Sequence, residues 1–224
     1  ADKHVFVEKP LCLTEEELHA IRAVYQDKAA KGLRLIVGFN RRFSPHAEKA
    51  RTFFSRRENP LVMLYRINAG KIPAEHWIQD PVVGGGRLIG EACHFIDYMQ
   101  SMCGTRPTTV FAQRVGRQAS GITDDQCVIT LTFADGSVGT VIYTAGGNSG
   151  LAKERFEAHA DGKSLIMDDF QETHLYSGSQ REVFKTPKRD KGFNAEINHL
   201  VQAVGQGSPS VMSFDDMATV TRAC

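Results

Sequence analysis

Between Gly84 and Asp97 the chain reads GGGRLIGEACHFID, a glycine run followed by a segment that carries Glu91, His94 and Asp97. Histidine is the side chain whose ordinary pKa lies closest to neutrality, so His94 is the natural candidate for general acid and base work. Apolar Leu88, Ile89, Ala92, Phe95, Ile96 and Met99 recur at helical spacing, leaving Arg87, Glu91, His94 and Tyr98 along a second face. The spacing predicts an amphipathic helix over 84–102, able to bury one face and hold a titrating group rigidly on the other. A histidine on such a helix is more often structural or solvated, so position alone does not make it catalytic. Other residues could bind rather than react. Asn40, Arg41 and Arg42 follow a buried apolar run, where α/β proteins collect ligands, although paired arginines are more often salt-bridged and Asn40 could equally cap backbone. His76 and Trp77 could hydrogen-bond and stack on a sugar, or Trp77 could pack. The glycines at 84–86 suit a tight turn as well as a phosphate cradle. No set of His, Asp or Glu has metal-ligand spacing, so no metal is expected.

The elements that must position these residues can be read from local pattern. Residues 4–7 form an apolar strand, and Thr14 with Glu17 offers a capping box for a helix with Leu18, Ile21, Val24 or Tyr25, and Ala29 on one face. Gly32 stops that helix, and residues 33–39 make a second, nearly continuous apolar strand. Strand, helix, strand predicts two parallel strands joined by a right-handed crossover. A second strand buried on both faces implies a larger parallel sheet whose earlier strands lie outside this chain. Ser44-Pro45 opens a helix to about residue 57, Asn59-Pro60 breaks it, and 61–69 alternates as a strand. Residues 70–83, with Pro73, Trp77 and Pro81, read as a long irregular loop. Strands are expected at 108–115, 126–133, 137–144, 155–160 and 164–167, with hairpin turns at Asp135-Gly136 and Asp161-Gly162. Two closing helices follow, one with Ile197, Leu200, Val201 and Val204 on a face, the other opening at Ser213 with Asp216 three residues on.

Composition narrows the partner. The 224 residues carry a net charge of +1, with charges scattered rather than blocked, which leaves no electrostatic footprint for nucleic acid or an anionic membrane. A small molecule is the expected partner. Cys12, Cys93, Cys103, Cys127 and Cys224 are odd in number and contain no C-x-x-C pair, so neither a disulfide framework nor a thiolate zinc site is expected and a reducing cytoplasm fits best. No apolar run approaches a membrane span, and no signal peptide is visible.

Three stretches in order, HVFVEKP at 4–10, GFNRRF at 38–43 and GGGRLIGEACHFID at 84–97, resemble the glucose-fructose oxidoreductase, inositol dehydrogenase and rhizopine-catabolism (Gfo/Idh/MocA) family. The resemblance extends over essentially the whole chain. It implies the following fold: α/β plus α+β, the last βαβ unit of a Rossmann-like parallel sheet followed by an open, mostly antiparallel sheet with helices packed on one face. Residues 1–40 are then a remnant of an NAD(P)-binding domain and 41–224 a substrate-binding and oligomerisation domain. No G-x-G-x-x-G follows a strand in this chain, so most of the dinucleotide site is expected outside it, and this polypeptide alone is expected to be inactive.

By the same resemblance, Lys9 sits beside the nicotinamide and the substrate and His94 contacts the reacting hydroxyl. His94 is the favoured acid and base, with Lys9 polarising the oxygen or relaying the proton and Pro10 stiffening its segment. Glu8, Lys9, Pro10 and Asn40 are the expected cofactor contacts, and Glu91, Arg41 and Trp77 the expected substrate contacts. Many family members carry an aspartate where this chain has Gly90, so Glu91 either takes over substrate binding or orients His94. The implied function is hydride transfer between NAD or NADP and a secondary hydroxyl of a sugar, sugar derivative or cyclitol, by a homo-oligomer assembled through the antiparallel sheet. The competing reading is a non-catalytic sugar-binding or assembly protein that keeps the fold.

Overall fold

The computed structural model describes residues 2–73, 75–80, 82–115, 126–206 and 210–224. Strands β1 (Val5–Val7) and β2 (Leu35–Val37) pair in parallel, Val5 opposite Leu35, and are joined by helix α1 (Glu15–Ala30). The helix starts where the local chemistry says: the Thr14 side chain accepts from Glu17 N, and the Glu17 carboxylate accepts from the N-cap backbone. Leu18 is its buried anchor, Tyr25 stacks on Phe214 at 4.8 Å, and Val24 is left exposed. Among the described residues this sheet has two strands, and Ile36 and Val37 are fully buried in it because they join the main apolar cluster of the chain.

A 3-10 turn (Asn40–Phe43) leads into α2 (Pro45–Phe54), capped by the Ser44 side chain accepting from His46 N and ending earlier than residue 57. Next come β3 (Val62–Asn68), helix α3 (Cys93–Cys103), β4 (Pro107–Arg114), β5 (Gln126–Phe133), β6 (Val138–Thr144), β7 (Glu154–Ala160), β8 (Lys163–Asp168), β9 (Glu172–Ser177) and β10 (Gln180–Lys185). Among the described residues, eight of these strands form one sheet in the order β10-β9-β8-β7-β3-β6-β5-β4. All neighbours pair antiparallel except β3 with β6, so the strand contributed early in the chain is inserted between later ones. Both Asp-Gly hairpins form, with Asp161 and Gly162 at φ 52° and 70°. Strands β9 and β10 are additions to the expected set; their mixed, largely polar residues lack an alternating signal.

Two helices depart from expectation. The segment at 84–102 is not an amphipathic surface helix: a π-helical turn (Leu88–Ala92) precedes α3, and every residue from Cys93 to Gln100 is buried. It lies against the sheet so closely that a Cβ on Gly139 would stand 2.6 Å from Met99 Sδ. In α4 (Phe193–Gly205), Glu196 and Ala203 are buried while Ile197, Val201 and Val204 are exposed, because the 196/200/203 seam is the one that meets the 40–43 turn. Helix α5 (Phe214–Arg222) opens with the Ser213–Asp216 capping box. Among the described residues no helix is long and apolar enough to cross a membrane.

Candidate active site

His94 lies in the first turn of α3, 8% exposed, its ring edge-on to Phe39 at 6.4 Å. Its Nδ1 is buried without a hydrogen-bond partner among the described residues. Burial lowers its pKa well below the ordinary histidine value, and the positive charges of Arg41 and Lys9 push the same way. The ring is therefore a neutral base in a positive field. Lys9 follows β1, across a cis bond to Pro10, and its Nζ donates to Gly90 O at 2.5 Å. Gly90 is one turn before His94, so this contact anchors the ammonium beside the histidine. The π-helical turn between them is a geometry that recurs at functional sites.

The charge that balances these cations comes from Glu154, the first residue of β7, which is fully buried. It accepts from Arg41 Nε at 2.9 Å and Nη2 at 2.8 Å, from Tyr65 OH at 2.7 Å and from Lys191 Nζ at 2.5 Å. Burial alone would raise its pKa, but Arg41 and Lys191 outweigh that and hold the carboxyl far below the usual range. Lys191 itself is lowered by burial, against the pull of Glu154. Arg41, expected at the substrate, spends Nε and Nη2 on Glu154 and stacks 5.2 Å over Phe95, so it acts on the site through charge. Asn40 is committed to backbone: its Nδ2 donates to Lys191 O at 2.8 Å. That tie needs glycine at 192, where φ is +85° and a Cβ would meet Asn40 O and Ser44 N at 2.5 Å.

Glu91 makes no hydrogen bond to His94 among the described residues. It faces Arg87 Nη2 and Lys153 Nζ, each at 3.4 Å, and those cations overcome burial to lower its pKa. A Cβ on Gly90 would lie 2.8 Å from Ile78 Cδ1, so the space that an aspartate there would use is filled from the 70–83 loop. Gly84 is needed for the same closure, since a Cβ would stand 2.4 Å from Ile78 Cα; the glycine run thus serves loop packing. Trp77 is 61% exposed on a short 3-10 turn, tilted over His76 at 5.8 Å, so the packing alternative is not realised. Pro81 lies outside the described residues. Glu8 is exposed. Arg42 and Asp97 pair through two hydrogen bonds, of 2.9 and 2.5 Å, in a buried structural link.

The structure thus brings Lys9, His94 and Arg41 together and leaves Glu91 and Trp77 outside that cluster. Glu154, Tyr65 and Lys191 escaped the sequence reading. One signal for Glu154 was present: it occupies an inward phase of β7, where a charge requires a buried partner. The five cysteines are free, and among the described residues no cluster of His, Cys, Asp and Glu is placed to hold a metal ion.

Residues 52–166 match the model of the GFO/IDH/MocA C-terminal domain. The chain is 31% identical over 228 residues to an uncharacterized oxidoreductase, YrbE, of Bacillus subtilis, covering 96% of this chain and 65% of that protein. It is 24% identical over 230 residues to the myo-inositol 2-dehydrogenase of Thermotoga maritima, covering 96% of this chain and 66% of that one. The structure of levoglucosan dehydrogenase in complex with NADH and levoglucosan superposes with a TM-score of 0.80 at 21% identity, covering 99% of this chain and 70% of that one. The chain therefore spans about two thirds of the length of these relatives, and it belongs to the GFO/IDH/MocA family.

Proposed function

We propose that this chain carries the substrate-side half of an NAD- or NADP-dependent oxidoreductase acting on a secondary hydroxyl of a sugar, sugar derivative or cyclitol. The observation that carries the reading is the contact of Lys9 with the helical turn before a buried, neutral His94, where the charges of Arg41, Lys9 and Lys191 outweigh that of Glu154 at the ring. Oxidising an alcohol requires a group to take the hydroxyl proton and a field that favours negative charge on the oxygen. His94 accepts the proton, and the cations that discourage the ring from keeping it stabilise the developing alkoxide. Lys9, already aligned by Gly90 O, donates to that oxygen. The bound nicotinamide supplies the hydride acceptor. Glu8, Lys9 and Pro10 are its proposed contacts, while Asn40 acts behind them by holding Lys191. Glu91 and Trp77 are proposed to face the substrate. That relatives named inositol and levoglucosan dehydrogenases share this fold supports a polyhydroxylated substrate.

On this reading residues 1–40 belong to the cofactor domain and 41–224 to the substrate domain. Edge strand β4 exposes Val110 and Phe111, at 45% and 69%, which supports a homo-oligomer formed through the large sheet. The test is cofactor reduction by the full-length protein with NAD and NADP against a panel of sugars and cyclitols. Reduction with at least one is expected. Calorimetric binding of sugars with no reduction across the panel would favour the non-catalytic reading.

A further inference from the structure

A cavity of about 560 Å³ opens between α2, α3 and α5, on the far part of the helix that carries His94. Three guanidinium groups line it, and two of them are matched. Arg42 is engaged twice by Asp97, and Arg106 donates to Asp216 Oδ1 at 2.7 Å with Asp215 at 3.8 Å. Arg51 differs. Its one hydrogen bond among the described residues runs from Nη1 to the Arg42 carbonyl at 2.8 Å, and no described carboxylate lies within 4.0 Å of it. Nε and Nη2 remain as two adjacent donors, the geometry that grips an oxyanion through both of its oxygens. Arg51 is half-buried, and the carboxylates that act on it, Glu48 and Asp97, do so from beyond ion-pair distance, so an anion that enters beside it gains a direct charge-assisted contact. The side-chain amide of Gln100 lines the same space, held among the described residues by a long 3.4 Å contact to Asp216 O, and can turn toward an incoming group. Phe43, Ala134 and Val211 supply an apolar wall, and the volume exceeds that of a bare oxyanion.

We infer that this cavity is a binding site for a small metabolite bearing a phosphate or carboxylate group, with Arg51 as the anchoring cation and Gln100 as a second donor. The site is independent of the hydride-transfer reading, because it shares no residue with the Lys9–His94 cluster.

The test is thermal unfolding and calorimetry of the full chain with inorganic phosphate, with citrate as the carboxylate arm, and with sodium chloride at matched ionic strength. A saturable upward shift with phosphate or citrate, absent with chloride, is expected, and the responding arm identifies the anion class. Arg51→Gln should weaken that affinity at least about tenfold, as loss of a charge-assisted pair does. Ser101→Asp, which places a carboxylate in the same cavity, should abolish the shift while leaving the fold intact, and so provides the test if Arg51→Gln does not fold. No saturable shift beyond chloride, or the same shift in both variants, would overturn the proposal.

Discussion

His46 and His94 are both taken out of water, and burial lowers the pKa of each, yet their rings stand in opposite circumstances. His46 has Nδ1 2.8 Å from Thr173 Oγ1 and Nε2 3.0 Å from Thr186 Oγ1, with Phe184 against its ring. Both nitrogens are occupied, and the ring ties α2 to β9 and the strand-end segment beyond β10. His94 has a buried nitrogen with no partner among the described residues, and cations rather than hydroxyls around it. The difference teaches how to separate a structural from a reactive histidine: burial and a lowered pKa are common to both, and only unspent hydrogen-bonding capacity beside positive charge distinguishes the second.

The sharpest way to break the contrast is to remove the charge that keeps the His94 cluster together. Glu154→Gln leaves Arg41 and Lys191 buried without a counter-ion and should destabilise the fold by about 3–5 kcal/mol in urea unfolding, as breaking a buried pair does. A loss below 1 kcal/mol would mean that the cluster is solvated. His46→Ala orphans the Thr173 hydroxyl and strips one partner from Thr186, which keeps Lys188 O at 2.8 Å, and should cost about 1–3 kcal/mol by the same assay, with turnover per folded molecule unchanged. A fall in turnover would erase the distinction.

The pH dependence of stability gives a further test with opposing signs. Both histidines titrate lower when folded, so the unfolded chain binds more protons and stability falls as pH drops through the ordinary value of 6.5. Glu196 works the other way: burial, with Glu8 and Asp97 adding to it, raises its carboxyl from 4.5 to about 8, so its contribution is lost as pH rises across that interval. Glu196→Gln should therefore steepen the gain in stability between about pH 5 and pH 8, read from denaturation midpoints; an unchanged slope would contradict the assignment. The smallest effect is expected at Glu91→Gln. Because this carboxylate faces Arg87 and Lys153 rather than His94, KM should rise about tenfold with kcat nearly retained. A fall in kcat alone would make it the residue that orients His94.

Local chemistry was legible where a few adjacent residues decide the outcome. The Thr14–Glu17 and Ser213–Asp216 boxes and the Asp-Gly turns are set by neighbours in the chain, and each appears as expected. The chemical cluster was only half legible, because its members at 9, 41, 65, 94, 154 and 191 meet through tertiary packing; Lys191 carries no local mark and reaches Glu154 only because Gly192 lets its segment cross the 40–43 turn. Helix α4 shows the same limit: its apolar period is real, but the side that faces inward is decided by the 40–43 turn, so Glu196 rather than Ile197 is buried. The helix that carries His94 looked amphipathic because Arg87, Glu91, His94 and Tyr98 are polar, whereas Arg87 and Tyr98 are buried against partners distant in sequence: Gly70 O and the Tyr143 ring for Arg87, and the Tyr65 and Phe156 rings for Tyr98.

Turnover by His94→Ala in the full-length protein, at saturating cofactor and substrate, tests the central claim most directly. The account predicts a fall in kcat of about 10²-fold or more, with cofactor affinity and thermal midpoint close to those of the parent. Turnover within about twofold of the parent would contradict it and remove His94 from the chemistry.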